Sequence, residues 1–338
     1  MHYRKLGSSG LKVSELSFGS WVTFHKQVDS KLAEQMFGLC LDAGVNFFDN
    51  AEGYERGMSE IVMGDALKKL SRPRDSYCVS SKVFFGAHDN PLPTQMGLSR
   101  KHVTEACHQA LKRLQVDYLD LYFCHRADPD TPIEETVWAM HNLITQGKVL
   151  YWGTSEWAAH EIEAAYDFAL DNNLTPPTME QPQYNLLDRE RFEVEYKPIF
   201  EKYKMGTTIW SPLASGALTG KYLNGIPEGS RASLDGYEWL RKHMIDSDRG
   251  QERMKKVSAY IEIAKSFDLD PIKLAIAWCL LNKNVSTVIL GASSIDQLEE
   301  NLKSIEYTKK FENQDLVCLL YTSPSPRDAT LSRMPSSA

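Results

Sequence analysis

The chain has 338 residues, a formal net charge of −7 and a quarter of its residues charged. That length suits one large α/β barrel or two ordinary domains, and the acidic balance leaves no basic footprint for a nucleic-acid partner. No apolar run approaches the roughly 20 residues of a membrane helix, no apolar signal core follows Met1, and the six cysteines form no C-x-x-C pair, which points to buried thiols in a reducing compartment, the cytoplasm by default.

Residues 3–18 read as a β-hairpin around the turn sequence Gly7-Ser8-Ser9-Gly10. A strand–helix alternation follows. Short strands are expected to begin at residues 17, 45, 77, 119, 149, 178, 207 and 287. Helices are expected at 29–41, capped by Asp29 or Ser30, then at 59–70, 99–114, 132–146 and 158–171, and over a single stretch at 188–203. An interruption spans 213–249, followed by helices at 251–267, 271–282 and 295–304. Strands alternating with helices imply a parallel sheet covered by helices. Eight such units fit a (β/α)8 TIM barrel with an N-terminal hairpin, occupying 1–316. From Val317 the chain turns rich in Pro and Ser. Residues 317–338 therefore read as a tail without regular structure, foreign to the fold.

The strand ends carry the chemistry. Strand two ends in Asp49, strand three in Lys82 and strand four in His125, and Tyr54 lies on the loop after strand two. In a parallel barrel these ends share one face. A phenol near pKa 10 becomes a better proton donor beside an ammonium that stabilises its phenolate. Lys82 can supply that ammonium, Asp49 can hold Lys82, and His125 can orient a carbonyl by a hydrogen bond. Tyr54 is thus the candidate general acid for an oxygen that gains negative charge. None of these groups can give a hydride, so a nicotinamide cofactor is expected. The chain has no G-x-G, hence no Rossmann fingerprint. The phosphates are expected instead on the loops after strands seven and eight. Those loops carry Trp210 to Gly216, with Lys221 and Arg231 in the insertion, and Gly291 to Ser294 ahead of Gln297, Glu300 and Asn301.

Asp49-x4-Tyr54, Lys82 and His125 resemble the catalytic tetrad of the aldo-keto reductases, and the likeness runs from about Tyr3 to about Phe311. Within that family the chain is most similar to the branch of voltage-gated potassium channel β-subunits. The stretches that carry this are Gly19-Ser20-Trp21-Val22-Thr23-Phe24, Leu98-Ser99-Arg100-Lys101-His102, Arg126 to Pro132, Tyr151-Trp152-Gly153-Thr154-Ser155 and Leu274 to Leu280. The resemblance implies NADPH-dependent reduction of an aldehyde or ketone, with Tyr54 as proton donor, Lys82 and Asp49 as its tuning pair and His125 orienting the carbonyl. It places NADP(H) contacts at Ser20, Trp21, Gln27, Asp49, Ser155 and Gln181. It adds Trp210, on which the nicotinamide would stack, with Ser211, Pro212, Leu213 and Ser215. Lys221, Arg231, Gly291, Ser293, Gln297, Glu300 and Asn301 complete the set. The partners it implies are a small carbonyl substrate and, because the related branch often forms tetramers, further copies of the chain. Neither nucleic-acid binding nor membrane insertion is expected. The chain departs from the animal channel subunits at Gly229, where they carry an aromatic residue, at Glu156, where they carry a basic one, and at His125, where they carry asparagine. The last departure favours a competent reductase over the alternative, a cofactor-binding auxiliary channel subunit with weak turnover. Substrate contacts from the family's last helix would be missing or altered where the tail begins.

Overall fold

The computed structural model describes residues 1–21, 29–233 and 238–322. Eight parallel strands close into a barrel: β3 (Leu16–Gly19), β4 (Phe47–Asp49), β5 (Cys78–Val83), β6 (Leu119–Cys124), β7 (Val149–Thr154), β8 (Met179–Glu180), β9 (Gly206–Ile209) and β10 (Thr287–Leu290), with β10 pairing back to β3. Each strand is buried almost throughout, as expected where helices cover the outside and side chains fill the inside. The expected barrel is therefore the observed one. The hairpin of β1 (Tyr3–Lys5) and β2 (Lys12–Ser14) is antiparallel, as read from its turn.

The hairpin closes the barrel at the end where the strands begin. Its Leu6 and Val13 form one cluster with the inward-facing Phe47, Cys78, Leu121, Phe123, Met179 and Ile289. Gly7 has φ +59°, and a Cβ there would lie 2.3 Å from the amide nitrogen of Gly206, where β9 starts, so only glycine fits. With that end filled, the strands' C-terminal ends form the working face.

Side chains alternate in and out along each strand. In β4, Phe47 points in, Phe48 points out against Phe37 and Tyr77, and Asp49 points in. The same parity turns Ser80 and Lys82 of β5 inward. Ser81 points outward and donates to Glu60 (2.6 Å), which also accepts from Arg113 (2.6 Å). In β6, Asp120 faces outward to Arg74 and to the Val79 amide, while Leu121 and Phe123 face inward.

Helices α1 (Ser30–Asp42), α2 (Met58–Leu70), α3 (Arg100–Leu114), α4 (Ile133–Thr145) and α5 (Ala159–Asp171) fall close to their expected spans. Asp29 caps α1 by accepting from the Leu32 amide (2.8 Å), and Ser99 caps α3 by accepting from that of His102 (3.3 Å). The single helix expected over 188–203 is broken. Residues Arg191–Glu195 form one widened turn, and α6 (Lys197–Tyr203) starts anew with Pro198 in its first turn. Proline lacks the amide hydrogen a continuous helix needs, but a first turn leaves that donor unused anyway.

The chain divides into two compact units. The barrel unit comprises Met1–Tyr184, Arg189–Ser211 and Asn282–Leu302, which includes α10 (Ile295–Leu302). The second unit comprises Asn185–Asp188, Pro212–Leu281 and the chain from Lys303 onward. It holds the short α7 (Glu238–Arg241), inside the expected interruption, with α8 (Asp248–Ser266), α9 (Pro271–Leu281) and α11 (Gln314–Thr322). Within it Arg253 grips Asp188 through two bonds of 2.6 and 2.7 Å, a planar two-point pairing of guanidinium with carboxylate. The structure corrects the start of the tail. Residues Val317 to Thr322 continue α11, because Leu316 and Leu320 are buried one turn apart and the first proline comes only at Pro324. The tail's remainder, 323–338, lies outside the described residues.

Candidate active site

Three inward-facing positions at consecutive strand ends bring Asp49, Lys82 and His125 together, and the turn after β4 returns Tyr54 to them. Lys82 is wholly buried. Its Nζ donates to Asp49 Oδ2 (2.7 Å), to the Asn50 carbonyl (2.8 Å) and to Tyr54 Oη (3.0 Å), which uses all three ammonium hydrogens. Asp49 is held in turn by Ser80 Oγ (2.8 Å) and Gln181 Nε2 (3.0 Å), both on Oδ1. Gln181 also donates to Thr208 (3.1 Å), and its backbone carbonyl accepts from Ser155 Oγ (2.9 Å). Ser20 donates to the Asp49 carbonyl through its hydroxyl (3.1 Å). The ammonium is thus fixed from several sides before any ligand arrives.

The turn carrying Tyr54 is tight. Glu55 and Arg56 adopt left-handed backbone angles, φ 46° and 56°, a conformation that costs non-glycine residues energy and gathers at functional loops. The Tyr54 ring stands edge-on to the His125 ring, 5.7 Å between centroids, and Phe85 flanks His125 on another side at 5.1 Å. His125 Nδ1 is buried without a hydrogen-bond partner. Such an atom is costly unless a ligand or water completes it.

Electrostatics set the protonation states. Burial moves the Tyr54 phenol up from its ordinary value, and the opposing pull of Lys82 does not cancel this. The expected net lowering by Lys82 is therefore corrected: the ammonium acts in that direction, but desolvation of the partly buried phenol outweighs it. Tyr54 is neutral and holds its proton at neutral pH. Burial pulls Lys82 down, yet the charge and hydrogen bonds of Asp49 and Tyr54 leave it raised overall, hence cationic. Burial, with Lys82 and Arg126 nearby, holds His125 well below the ordinary imidazole range. His125 is a neutral imidazole, able to donate one hydrogen bond but not to serve as a strong acid.

The residues expected around a cofactor divide three ways. Ser20, Trp21, Ser155, Gln181, Trp210 and Ser211 belong to the barrel unit with the four groups above. Trp21 lies 6.5 Å from the Tyr54 ring and 6.0 Å, edge-on, from that of Trp210, giving an aromatic wall beside the phenol. After β10, the Gly291 carbonyl accepts from Asn301 (3.4 Å), Gln297 accepts from the Ser293 amide and hydroxyl (3.0 Å each), and Glu300 lies on α10. Pro212, Leu213, Ser215 and Lys221 belong to the second unit, where Ser215 (φ 56°) and Gly216 (φ 91°) leave the helical path and the Lys221 side chain lies across Gly216. Gln27 and the Arg231 side chain lie outside the described residues, though the Arg231 backbone is described. The sequence reading missed Ser80 and Thr208. Ser80 was within reach, because it precedes Lys82 by two positions on one strand and must share its face.

The donor set of the barrel unit fits a nicotinamide: an aromatic wall, a side-chain amide oxygen on Gln181 not used in the bonds above, and the uncompleted imidazole beside the phenol. Among the described residues no group of three or more metal-ligating side chains occurs, and no helix is long and apolar enough to cross a membrane.

Comparison with known proteins agrees with this geometry. The model of the aldo/keto reductase family matches residues 15–316. Two proteins named "Probable voltage-gated potassium channel subunit beta", from Oryza sativa subsp. japonica and Arabidopsis thaliana, are each 47% identical over 307 residues, covering 90% of this chain and 92% of theirs.

Proposed function

This chain belongs to the aldo/keto reductase family, an oxidoreductase family, and from that premise we propose that it reduces aldehydes or ketones to alcohols with NADPH, Tyr54 giving the proton. The observation that carries the reading is the buried contact of Lys82 Nζ with both Asp49 and Tyr54. A bound NADPH supplies the hydride that reduces the carbonyl carbon. The chain's own residues do the rest. His125, neutral and with one ring nitrogen unclaimed, orients the carbonyl oxygen toward Tyr54 Oη. As negative charge gathers on that oxygen, the phenol O–H bond breaks and the proton completes the alcohol. The phenolate left behind faces an ammonium at 3.0 Å that is already positioned, so little reorganisation accompanies the step. Asp49 keeps Lys82 cationic and aimed. Solvent then returns a proton to Tyr54.

Turnover of a simple aromatic aldehyde, followed by the fall in NADPH absorbance, tests this. Tyr54→Phe is expected to lower kcat by a factor of about 10² or more, the usual worth of a positioned acid, with cofactor binding intact. Activity retained in Tyr54→Phe removes the phenol from its role.

A second reading comes from the relatives' printed names: an auxiliary subunit that binds cofactor and turns over slowly. Cofactor binding without turnover at any pH favours it. His125 in place of asparagine favours the first.

A further inference from the structure

One carboxylate beside the site has no part in the proton transfer. Glu156 follows β7 and has φ 59°, a left-handed angle that costs a non-glycine residue free energy and persists only where surrounding bonds over-determine it. Four sets of bonds do so here. Its amide donates to Glu180 Oε1 (2.5 Å). Its Oε1 accepts from the Gln183 amide (2.5 Å) and from Trp210 Nε1 (3.0 Å). Its Oε2 and its carbonyl accept from Arg191 Nη1 (2.8 and 3.3 Å). All these residues lie in the barrel unit.

The bond to the indole differs from the others in kind. The Trp210 backbone is already fixed, its amide donating to the Pro182 carbonyl (3.1 Å) and its carbonyl accepting from the Tyr184 amide (3.3 Å). Those backbone bonds do not by themselves set the side-chain torsions of the ring. The ring stays partly exposed and edge-on to Trp21. Ser211, the next residue, is also left-handed (φ 56°), so the chain bends away directly after the indole. The indole N–H of a tryptophan usually finds a partner, and here that partner is a carboxylate, a stronger acceptor than a neutral oxygen.

We propose that Glu156 is a positioning residue that fixes the Trp210 indole in the orientation a nicotinamide ring stacks on. This rests on the cofactor reading above, but the orientation itself can be tested in the free protein. In free Glu156→Ala, the indole N–H resonance, assigned by its loss in Trp210→Phe, is expected to shift and to exchange faster with water. A resonance unmoved by Glu156→Ala overturns the inference and leaves the cofactor reading intact.

NADPH titrations supply the second arm. Glu156→Ala is expected to weaken binding about ten-fold, the scale of one charge-assisted hydrogen bond. Glu156→Gln keeps an acceptor oxygen and is expected to recover affinity to within roughly three-fold of the parent. In a Trp210→Phe background the Ala change should add less than about two-fold, because the two residues act as one unit. An equal ten-fold loss in that background would mean that Glu156 supports only the loop at Gln183, and the inference fails. A parent protein that binds neither NADPH nor NADH overturns the cofactor reading and the stacking role with it.

Discussion

His125 is enclosed, lies near Lys82 and Arg126, and is therefore held neutral. That state suits a carbonyl-orienting donor, and it has a consequence for stability. The unfolded chain binds a proton at this imidazole near pH 6.5, whereas the folded chain resists it to well below that. Below pH 6.5 the unfolded state thus carries more protons, and stability falls as pH falls. Replacing His125 with Asn removes this titration. The decline of Tm between pH 6.5 and 5 is expected to be shallower in His125→Asn than in the parent, read by thermal melts across that window. An unchanged slope would mean that the folded imidazole takes up its proton as freely as an exposed one. At this scale the sequence was informative where a residue type sits at a strand end. Asp49, Lys82 and His125 follow from parity and strand order, and the structure brings them together. What did not follow was the balance of forces on Tyr54. Its lysine neighbour was foreseeable, but the depth of burial that outweighs that neighbour is a tertiary quantity.

Between the strands and the helices lies a layer of outward-facing buried polar groups. Glu180 of β8 is one of them, and its carboxyl is far from its ordinary state. It accepts from the Thr154 hydroxyl and the Glu156 amide, but burial dominates and pushes its carboxyl up to about 8. The folded state therefore keeps a proton on Glu180 that the unfolded chain, with a carboxyl near 4.3, has lost. The contribution is fully present below the unfolded value and disappears as pH rises through about 8. Glu180→Gln, which cannot ionise, is expected to raise Tm at pH 9 by a few degrees and to change it little at pH 5. A variant equally shifted at both pH values would trace the effect to packing instead of charge. The strands of this layer were readable because buried parallel strands are short apolar runs set between helical periods. Two elements were not. Pro198 breaks the stretch 188–203 although its apolar pattern is continuous, and periodicity cannot report a break. Leu316 and Leu320 carry α11 past the point where composition turns toward proline and serine. There the apolar stripe decides, and composition over the longer window misleads.

For the whole chain, the proposed cofactor offers a test that does not depend on catalysis. A ligand that binds only the folded state stabilises it by RT ln(1 + [L]/Kd), about 2.7 kcal/mol at a hundred-fold excess over Kd. For a chain of this size that corresponds to a Tm rise of roughly 4 °C. NADPH is expected to produce it and NADH at equal concentration to produce less, because NADPH carries one more phosphate and the family resemblance places the cationic Lys221 and Arg231 among the NADP(H) contacts. Lys221, exposed in the second unit beside Gly216, is the one to vary. In Lys221→Ala the NADPH shift should fall toward that of NADH, while the NADH shift stays where it was. Equal losses for both nucleotides would undo the phosphate assignment but leave a nicotinamide site. No shift with either would remove the cofactor from both functional readings, reductase and auxiliary subunit alike. A full NADPH shift without turnover of any carbonyl would leave Asp49, Tyr54, Lys82 and His125 intact as part of a binding site. It would also show that a pre-aimed ammonium and a neutral phenol are not sufficient for proton transfer in this chain.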